Sequence, residues 1–239
     1  MIKHSKFDYS KNRGSPEVSL RLELLRERLK YLSKKSHARI LDVGVGSGDI
    51  TLMLLKHFKD ITCVEYNMKN CSYAIERLNE SNLRRIKFIY SKIEGVKFSK
   101  DAFNHIILQN MLEHLKDPVK VLRKLSLCLD SNGYMHISVP LANSFHRWLG
   151  VDMGLISRIN GLSKTDIRYG HYRVYTPALL RKHIGLAGLR ITYEKSFYLK
   201  PFPSSVLSGM PLGIHRALFS LGEQFPEFAA YIYLELRKP

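Results

Sequence analysis

Between Ala38 and Phe58 an apolar run enters a turn with glycines at 44, 46 and 48, and an amphipathic stretch leaves it. From Leu41 to Thr51 the chain reads Leu-Asp-Val-Gly-Val-Gly-Ser-Gly-Asp-Ile-Thr. Strand, glycine turn and helix in that order leave little freedom of fold. The turn brings backbone amides and a helix N-terminus close to a ligand, an approach that a Cβ would obstruct. The spacing G-x-G-x-G differs from the G-x-G-x-x-G of a dinucleotide turn, and Asp42 stands in front of it. A carboxylate at that mouth repels a pyrophosphate but suits a cofactor with a cationic amino-acid end. A short apolar strand, 61–64, follows and ends on Glu65. A carboxylate there either accepts hydrogen bonds from two ribose hydroxyls or is a solvated loop residue.

The remaining chain continues the alternation. Residues 1–15 read as a basic lead, and Ser15-Pro16-Glu17 as a helix start. Leu22, Leu25, Leu29 and Leu32 then mark one face of a helix ending near Ser36. Strands are expected at 38–45, 61–65, 86–91, 103–109 and 133–139, with helices at 48–58, 69–80 and 117–129. Gly133 reads as the residue that ends the last helix and opens the next strand. This pattern predicts an α/β fold with a doubly wound, mostly parallel sheet and ligands at the carboxyl ends of its strands. Beyond Pro140 the rhythm breaks. Residues 141–175 and 201–228 read as irregular or loosely helical insertions on the substrate side. Between them lie a helix opened by Thr176-Pro177 and a strand over 189–199, and a last strand spans 229–236. The expected division is a lead and helix over 1–36 and one domain over 37–239.

At 239 residues and 45% hydrophobic content the chain suits one such domain. No secretory h-region is seen at the N-terminus and no run approaches the ~18 apolar residues of a membrane span. Cys63, Cys71 and Cys128 lack metal-ligand spacing and read as reduced cysteines of a cytoplasmic protein. The net charge of +17 attracts RNA, an anionic bilayer or phosphorylated substrates, or merely keeps the protein soluble.

Asp42-x-Gly44-x-Gly46-x-Gly48, with Glu65 ending the next strand, resembles the first motifs of the class I S-adenosylmethionine-dependent methyltransferases. From about Ile40 to Ala187 the chain is similar to the branch that includes ubiquinone-pathway O-methyltransferases and bacterial small-molecule methyltransferases. The segments that carry this are Phe103-Asn104-His105-Ile106-Ile107, Leu112-Glu113-His114-Leu115-Lys116-Asp117-Pro118, Ile137-Ser138-Val139-Pro140 and Gly170-His171-Tyr172-Arg173-Val174-Tyr175-Thr176-Pro177. The resemblance implies a seven-stranded Rossmann-like sheet whose last strand lies antiparallel between the fifth and sixth. It also implies S-adenosyl-L-methionine as cofactor, held by Asp42, Gly44, Gly46, Gly48, Glu65, Tyr66, Ser91, Lys92, Ile93 and Gln109. Two positions depart from the family pattern. Lys92 stands where a carboxylate usually accepts from the adenine amino group, and Asn104 stands where the fourth strand usually opens with Phe-Asp.

Methyl transfer needs alignment, and a base when the acceptor is a hydroxyl. His114 is the first candidate base, since imidazole titrates near neutrality; alternatively Glu113-His114 fixes the turn into the next helix. His171 is the second candidate, or else holds the insertion against the sheet. His146, beside Arg147 and Trp148, contacts substrate or belongs to an aromatic plug. A Glu-x-x-Glu-His motif of related enzymes resembles a divalent-cation site, but Asn110 replaces its first carboxylate, leaving Glu113, His114 and His171. An amide is the weaker ligand, so no metal site is expected. The expected activity is methylation of a small-molecule hydroxyl. The alternatives are RNA 2′-O-methylation and a non-catalytic cofactor-binding homologue.

Overall fold

A computed structural model describes residues 15–32 and 38–239. The basic lead before residue 15 and the expected helix end near Ser36 lie outside these residues. Helix α1 (Pro16–Leu32) carries Glu17 in its first turn. Its buried leucines are Leu20, Leu24, Leu25 and Leu29. The stripe is therefore rotated from the expected one, with Leu22 and Leu32 only half-buried. Strand β1 (Arg39–Val43) leads through the glycine turn into α2 (Asp49–Leu55), then β2 (Asp60–Glu65), α3 (Met68–Leu83), β3 (Ile86–Tyr90) and β4 (Phe103–Gln109). A single 3₁₀ turn at Leu112–His114 precedes α4 (Pro118–Cys128) and β5 (Leu129–Pro140).

Asn67 and Asp117 cap α3 and α4 by accepting from Lys69 N and Lys120 N, both at 3.0 Å. Pro118 occupies the first turn of α4, where its missing N–H costs nothing. Gly133 does not end that helix. It lies inside β5, where a Cβ would meet Asn104 O and Leu129 Cδ1 at 2.8 Å. The glycine is required by close backbone approach within the sheet rather than by helix termination.

Past Pro140 come α5 (Phe145–Asp152), α6 (Lys164–Tyr169), α7 (Pro177–Leu186) and β6 (Arg190–Leu199). Then α8 (Ser204–Leu207), α9 (Leu212–Gln224) and β7 (Ala229–Arg237) complete the chain. The seven strands form one sheet in the order β3-β2-β1-β4-β5-β7-β6. All pairings are parallel except those of β7, which is antiparallel to both β5 and β6. Both faces are covered. Leucines of α4 and α7 pack with Ile106, Leu108 and Ile137 on one side, while Leu25, Leu29, Leu54 and Leu78 pack with Ile40, Ile61 and Tyr233 on the other. The insertion over 201–228, expected to be irregular or loosely helical, contains α8 and the longer α9, which packs on β6. Its anchor is polar: Tyr198 Oη meets His215 Nδ1 at 2.6 Å, and His215 Nε2 lies 3.0 Å from Leu207 O. No helix among the described residues is long and apolar enough to cross a membrane.

Candidate active site

The topology gathers the carboxyl ends of β1, β2, β4 and β5 at one edge, and the predicted residues divide between two sides of it. On the first side, Gly44, Gly46 and Gly48 all have positive φ (81°, 54° and 80°), which explains their residue type. Gly44 N donates to Val64 O at 2.8 Å, stitching the turn to β2. Glu65 is buried and accepts from Gly46 N at 3.0 Å through one oxygen and from Tyr66 N and Asn67 N at 2.8 Å through the other. It is not a solvated loop carboxylate.

Asp42 is fully buried beneath the turn. Its Oδ2 accepts from Thr51 Oγ1 at 2.7 Å, whereas Oδ1 has no partner among the described residues. Burial pushes its carboxyl up to about 6, against the Thr51 hydrogen bond and with the help of Glu65. Gly44, Glu65, Tyr66, Ser91 and Ile93 line one narrow crevice together with Val43, Val64 and Met111. Gly46 and Gly48 do not line it. Gly46 binds Glu65, and a Cβ on Gly48 would touch Ala74 at 3.4 Å. Lys92 is exposed at the rim, with Nζ 5.8 Å from the Tyr66 ring centroid rather than pointing into the crevice. Gln109 does not line the crevice either; it is half-buried, and its Nε2 is buried without a partner among the described residues.

Met111 escaped sequence analysis. Its Sδ lies 2.9 Å from where a Gly44 Cβ would be, so the glycine makes room for a thioether across the crevice. Asn104 proves irrelevant to this site. It lies at the amino end of β4, where Oδ1 accepts from Arg39 N at 3.0 Å, at the opposite edge of the sheet.

On the second side, Gln109 registers against Ser138, and Asn110 N donates to Ser138 O at 2.8 Å. Asn110 has φ of 50°, a strained conformation for a residue with a side chain. Asn110 Oδ1, Ser138 Oγ and Glu113 Oε2 are buried without partners among the described residues. The 3₁₀ turn beyond Asn110 is held from outside by the insertion. Tyr172 N donates to Glu113 O at 2.8 Å, and Arg173 donates to the carbonyls of Leu112, Leu115 and Lys116 at 2.5–3.0 Å.

That clamp brings His171 against His114, their ring centroids 4.7 Å apart at 79°. Ligand atoms of Glu113, His114 and His171 all lie within 4.8 Å of one another. The two candidate histidines thus share one site, and the three groups are the donor set that remains once Asn110 replaces the first carboxylate of the motif.

Their electrostatics differ. Burial, with His171 adding to it, pushes His114 down to about 3, so the expected titration near neutrality is not found at this residue. Burial pushes Glu113 up to about 7, with His171 opposing. His171 Nδ1 lies 3.1 Å from Asp166 Oδ1. Burial alone would raise the Asp166 carboxyl, but hydrogen bonds from His171 and Ser163 and the nearby Arg147 hold it well below the carboxylate range. An ionised carboxylate only accepts, so His171 Nδ1 is the donor in this contact, and in the neutral ring the other nitrogen is the acceptor. Asp166 also closes the capping box of α6 with Ser163. His146 is not part of this site. Its Nδ1 meets Ser144 Oγ at 3.0 Å, and burial pushes it down to about 4.

These shifts set a pH dependence of stability. His114 and His146, with His105 and His136 buried in the sheet, are all lowered by burial, and His105 goes to about 4. Each takes up a proton on unfolding below about pH 6.5. Asp42 and Glu113, raised in the folded state, release one each. Four uptakes against two releases leave the unfolded chain with more protons between about pH 6 and 4.5. Stability should therefore fall with pH across this window, on the order of 2–3 kcal/mol per pH unit at its steepest. Urea denaturation at a series of pH values checks this; a flat or rising curve on acidification contradicts it.

The family description "Methyltransferase domain" matches residues 18–194. The ubiquinone biosynthesis O-methyltransferase of Actinobacillus pleuropneumoniae serotype 7 (strain AP76) is 24% identical over 183 residues, covering 73% of this chain and 76% of that protein. The (S)-coclaurine N-methyltransferase of Thalictrum flavum subsp. glaucum is 26% identical over 118 residues, covering 48% of this chain and 32% of its own. Among solved structures, a SAM dependent methyltransferase from Aquifex aeolicus superposes with a TM-score of 0.60 at 18% identity, covering 97% of this chain and 98% of that one. Two features fit S-adenosylmethionine to the crevice. Asp42 Oδ1, buried beneath the turn without a partner among the described residues, suits its ammonium end, and Gly44 leaves the crevice open, since a Cβ there would meet Met111 Sδ at 2.9 Å. With the strand order and the matched residues, these observations make the chain a member of the class I S-adenosylmethionine-dependent methyltransferases.

Proposed function

We propose that the protein methylates a hydroxyl of a small molecule, with His171 as the proton acceptor. Bound S-adenosylmethionine supplies an electrophilic methyl group on a sulfonium. The chain's own work is to hold the acceptor oxygen in line with that methyl and to take its proton. The observation that carries this reading is the Asp166–His171 hydrogen bond: with Nδ1 donating to Asp166, the neutral ring offers its other nitrogen as a proton acceptor, in the cluster with Glu113 and His114. Asp166 also stabilises the imidazolium formed when His171 takes the proton, the role an orienting carboxylate has behind any histidine base. His114, held neutral, packs edge-on against that ring as a positioning residue. Gln109, Asn110 and Ser138 offer unsatisfied polar atoms for the acceptor. Glu65 would receive the ribose hydroxyls, and Asp42 the ammonium.

Supplying labelled S-adenosylmethionine to metabolite extract and to total RNA tests the substrate class. Label in an alkali-stable small molecule is expected; label in RNA alone would replace this reading with RNA 2′-O-methylation. For the base, His171→Ala should lower turnover about 10²- to 10⁴-fold while leaving S-adenosylhomocysteine affinity unchanged. Asp166→Asn should lower it less and shift the pH profile. Equal losses in turnover and cofactor affinity would reduce His171 to a scaffold residue.

The 4.8 Å grouping of Glu113, His114 and His171 favours a second reading. The three would hold a divalent cation that acidifies the acceptor hydroxyl, one carboxylate and two imidazoles being a donor set suited to zinc or similar metals. Metal analysis of the purified protein separates the two readings: a stoichiometric ion lost in His114→Ala supports the cation, and none supports direct proton transfer.

A further inference from the structure

The insertion that leaves β6 contains fourteen consecutive residues, 201–214, without a charged side chain, in a chain where 25% of residues are charged. Folding does not consume their apolar side chains. Leu207 is buried, but Phe202, Val206, Met210, Leu212 and Ile214 are each 40–50% exposed. The backbone that presents them is well held, through His215 to Leu207 O and Tyr198 Oη and through Lys200 Nζ to Ser204 Oγ at 2.7 Å.

The first insertion continues this surface. His146 N donates to Lys200 O at 2.8 Å, placing the start of α5 beside residue 200. Phe145 packs edge-on against Phe228 at 6.2 Å, and Phe145, Trp148 and Phe228 are all exposed. The first insertion leaves the sheet at the end of β5, and the second leaves at the end of β6 and rejoins at the start of β7, all on the edge that holds the acceptor side of the site.

We propose that this apolar rim docks on an anionic lipid bilayer. Apolar side chains of this size, gathered in one uncharged segment and left in water, mark an interaction surface. The charge selects the partner. At +17, two copies of the chain repel each other, whereas an anionic leaflet attracts it, and Arg158, Lys164 and Arg168 are exposed on the same insertion. The composition agrees. Phenylalanine, leucine and methionine interspersed with serine, glycine and proline offer depth of insertion without the tyrosine and arginine anchors of a protein interface. The site would then face the membrane and receive its acceptor there.

Trp148, the chain's single tryptophan, lies on this rim and reports on it directly. The full chain is mixed with vesicles of phosphatidylcholine alone or of phosphatidylcholine with phosphatidylglycerol. Co-sedimentation with the phosphatidylglycerol vesicles at physiological salt, with a blue shift of tryptophan emission, is expected. The double variant Phe202→Asp, Leu212→Asp should bind at least about tenfold more weakly. Its melting temperature and S-adenosylhomocysteine affinity should be unchanged, which guards against misfolding. Three outcomes would overturn the proposal: no vesicle binding, binding that the double variant retains without an emission shift, or a stable dimer dissociated by the same substitutions.

Discussion

Replacing Glu65 by alanine is expected to weaken S-adenosylhomocysteine binding about a hundredfold and to lower the melting temperature at the same time. In our reading its carboxylate receives two ribose hydroxyls. Two charge-assisted hydrogen bonds at about 1.5 kcal/mol each amount to two orders of magnitude in affinity. Stability falls for a separate reason. Glu65 already accepts from Gly46 N, Tyr66 N and Asn67 N, and alanine removes the acceptor of all three bonds. Because Gly46 belongs to the cofactor turn, the same change loosens the turn. Glu65→Gln keeps one acceptor oxygen and should lose roughly tenfold in affinity. Calorimetric titration and thermal melting measure the two effects separately. Unchanged affinity beside a lowered melting temperature would leave Glu65 as a staple between β2 and the glycine turn and nothing more.

The largest effect on stability is expected at Gly222, far from the crevice. A Cβ there would lie 2.1 Å from Tyr198 N and 2.5 Å from Phe197 C, backbone atoms of β6 that cannot give way. Tyr198 itself has φ of 64°, so the strand is already held in an unusual conformation against α9. Gly222→Ala should force α9 off the sheet, break the Tyr198–His215 contact and cost at least about 3 kcal/mol, as severe overpacking does. Gly185, inside α7, is the control. Nothing lies within 4 Å of its added Cβ, and Gly185→Ala should stabilise by about 0.5–1 kcal/mol through helix propensity. Chemical denaturation of both variants checks the pair. A Gly222→Ala protein as stable as the parent would mean that α9 does not sit against Tyr198.

Much of the fold was legible because it repeats. Alternating apolar strands and amphipathic helices, punctuated by Asn67, Asp117 and Thr176-Pro177 at helix starts, leave a local trace at each element. Misreadings arose where one residue type serves two ends. Gly133 looks like a helix stop, yet the neighbouring backbone of Asn104 demands it. Asn104 looks like a weakened cofactor contact, yet it braces Arg39. The leucine stripe of α1 was misplaced because Leu20 and Leu24 compete with Leu22 and Leu32 for the same periodicity.

The site divides in the same way. Asp42, the three glycines and Glu65 are close in sequence and carry a recognisable spacing, so the turn they build could be read directly. Asp166 could not. Its visible signal, Ser163-x-x-Asp166, announces a helix cap, which it is, and hides the oxygen that holds His171. The surroundings of the two histidines also needed three dimensions. Both are imidazoles in similar motifs, but burial drives His114 down to about 3, while Asp166 orients His171.

What the amino-acid order determined by itself is the wound sheet, the glycine turn and the acidic residues beside it, since these rest on local backbone preference and on periodic burial. Tertiary structure alone decided that Asp166 hydrogen-bonds His171, that Met111 faces Gly44, and that the uncharged stretch after β6 remains on the surface. Those outcomes depend on distances between residues remote along the chain. Desolvation and hydrogen-bond partnership, which set a side chain's chemistry, exist only once the fold has brought such residues together.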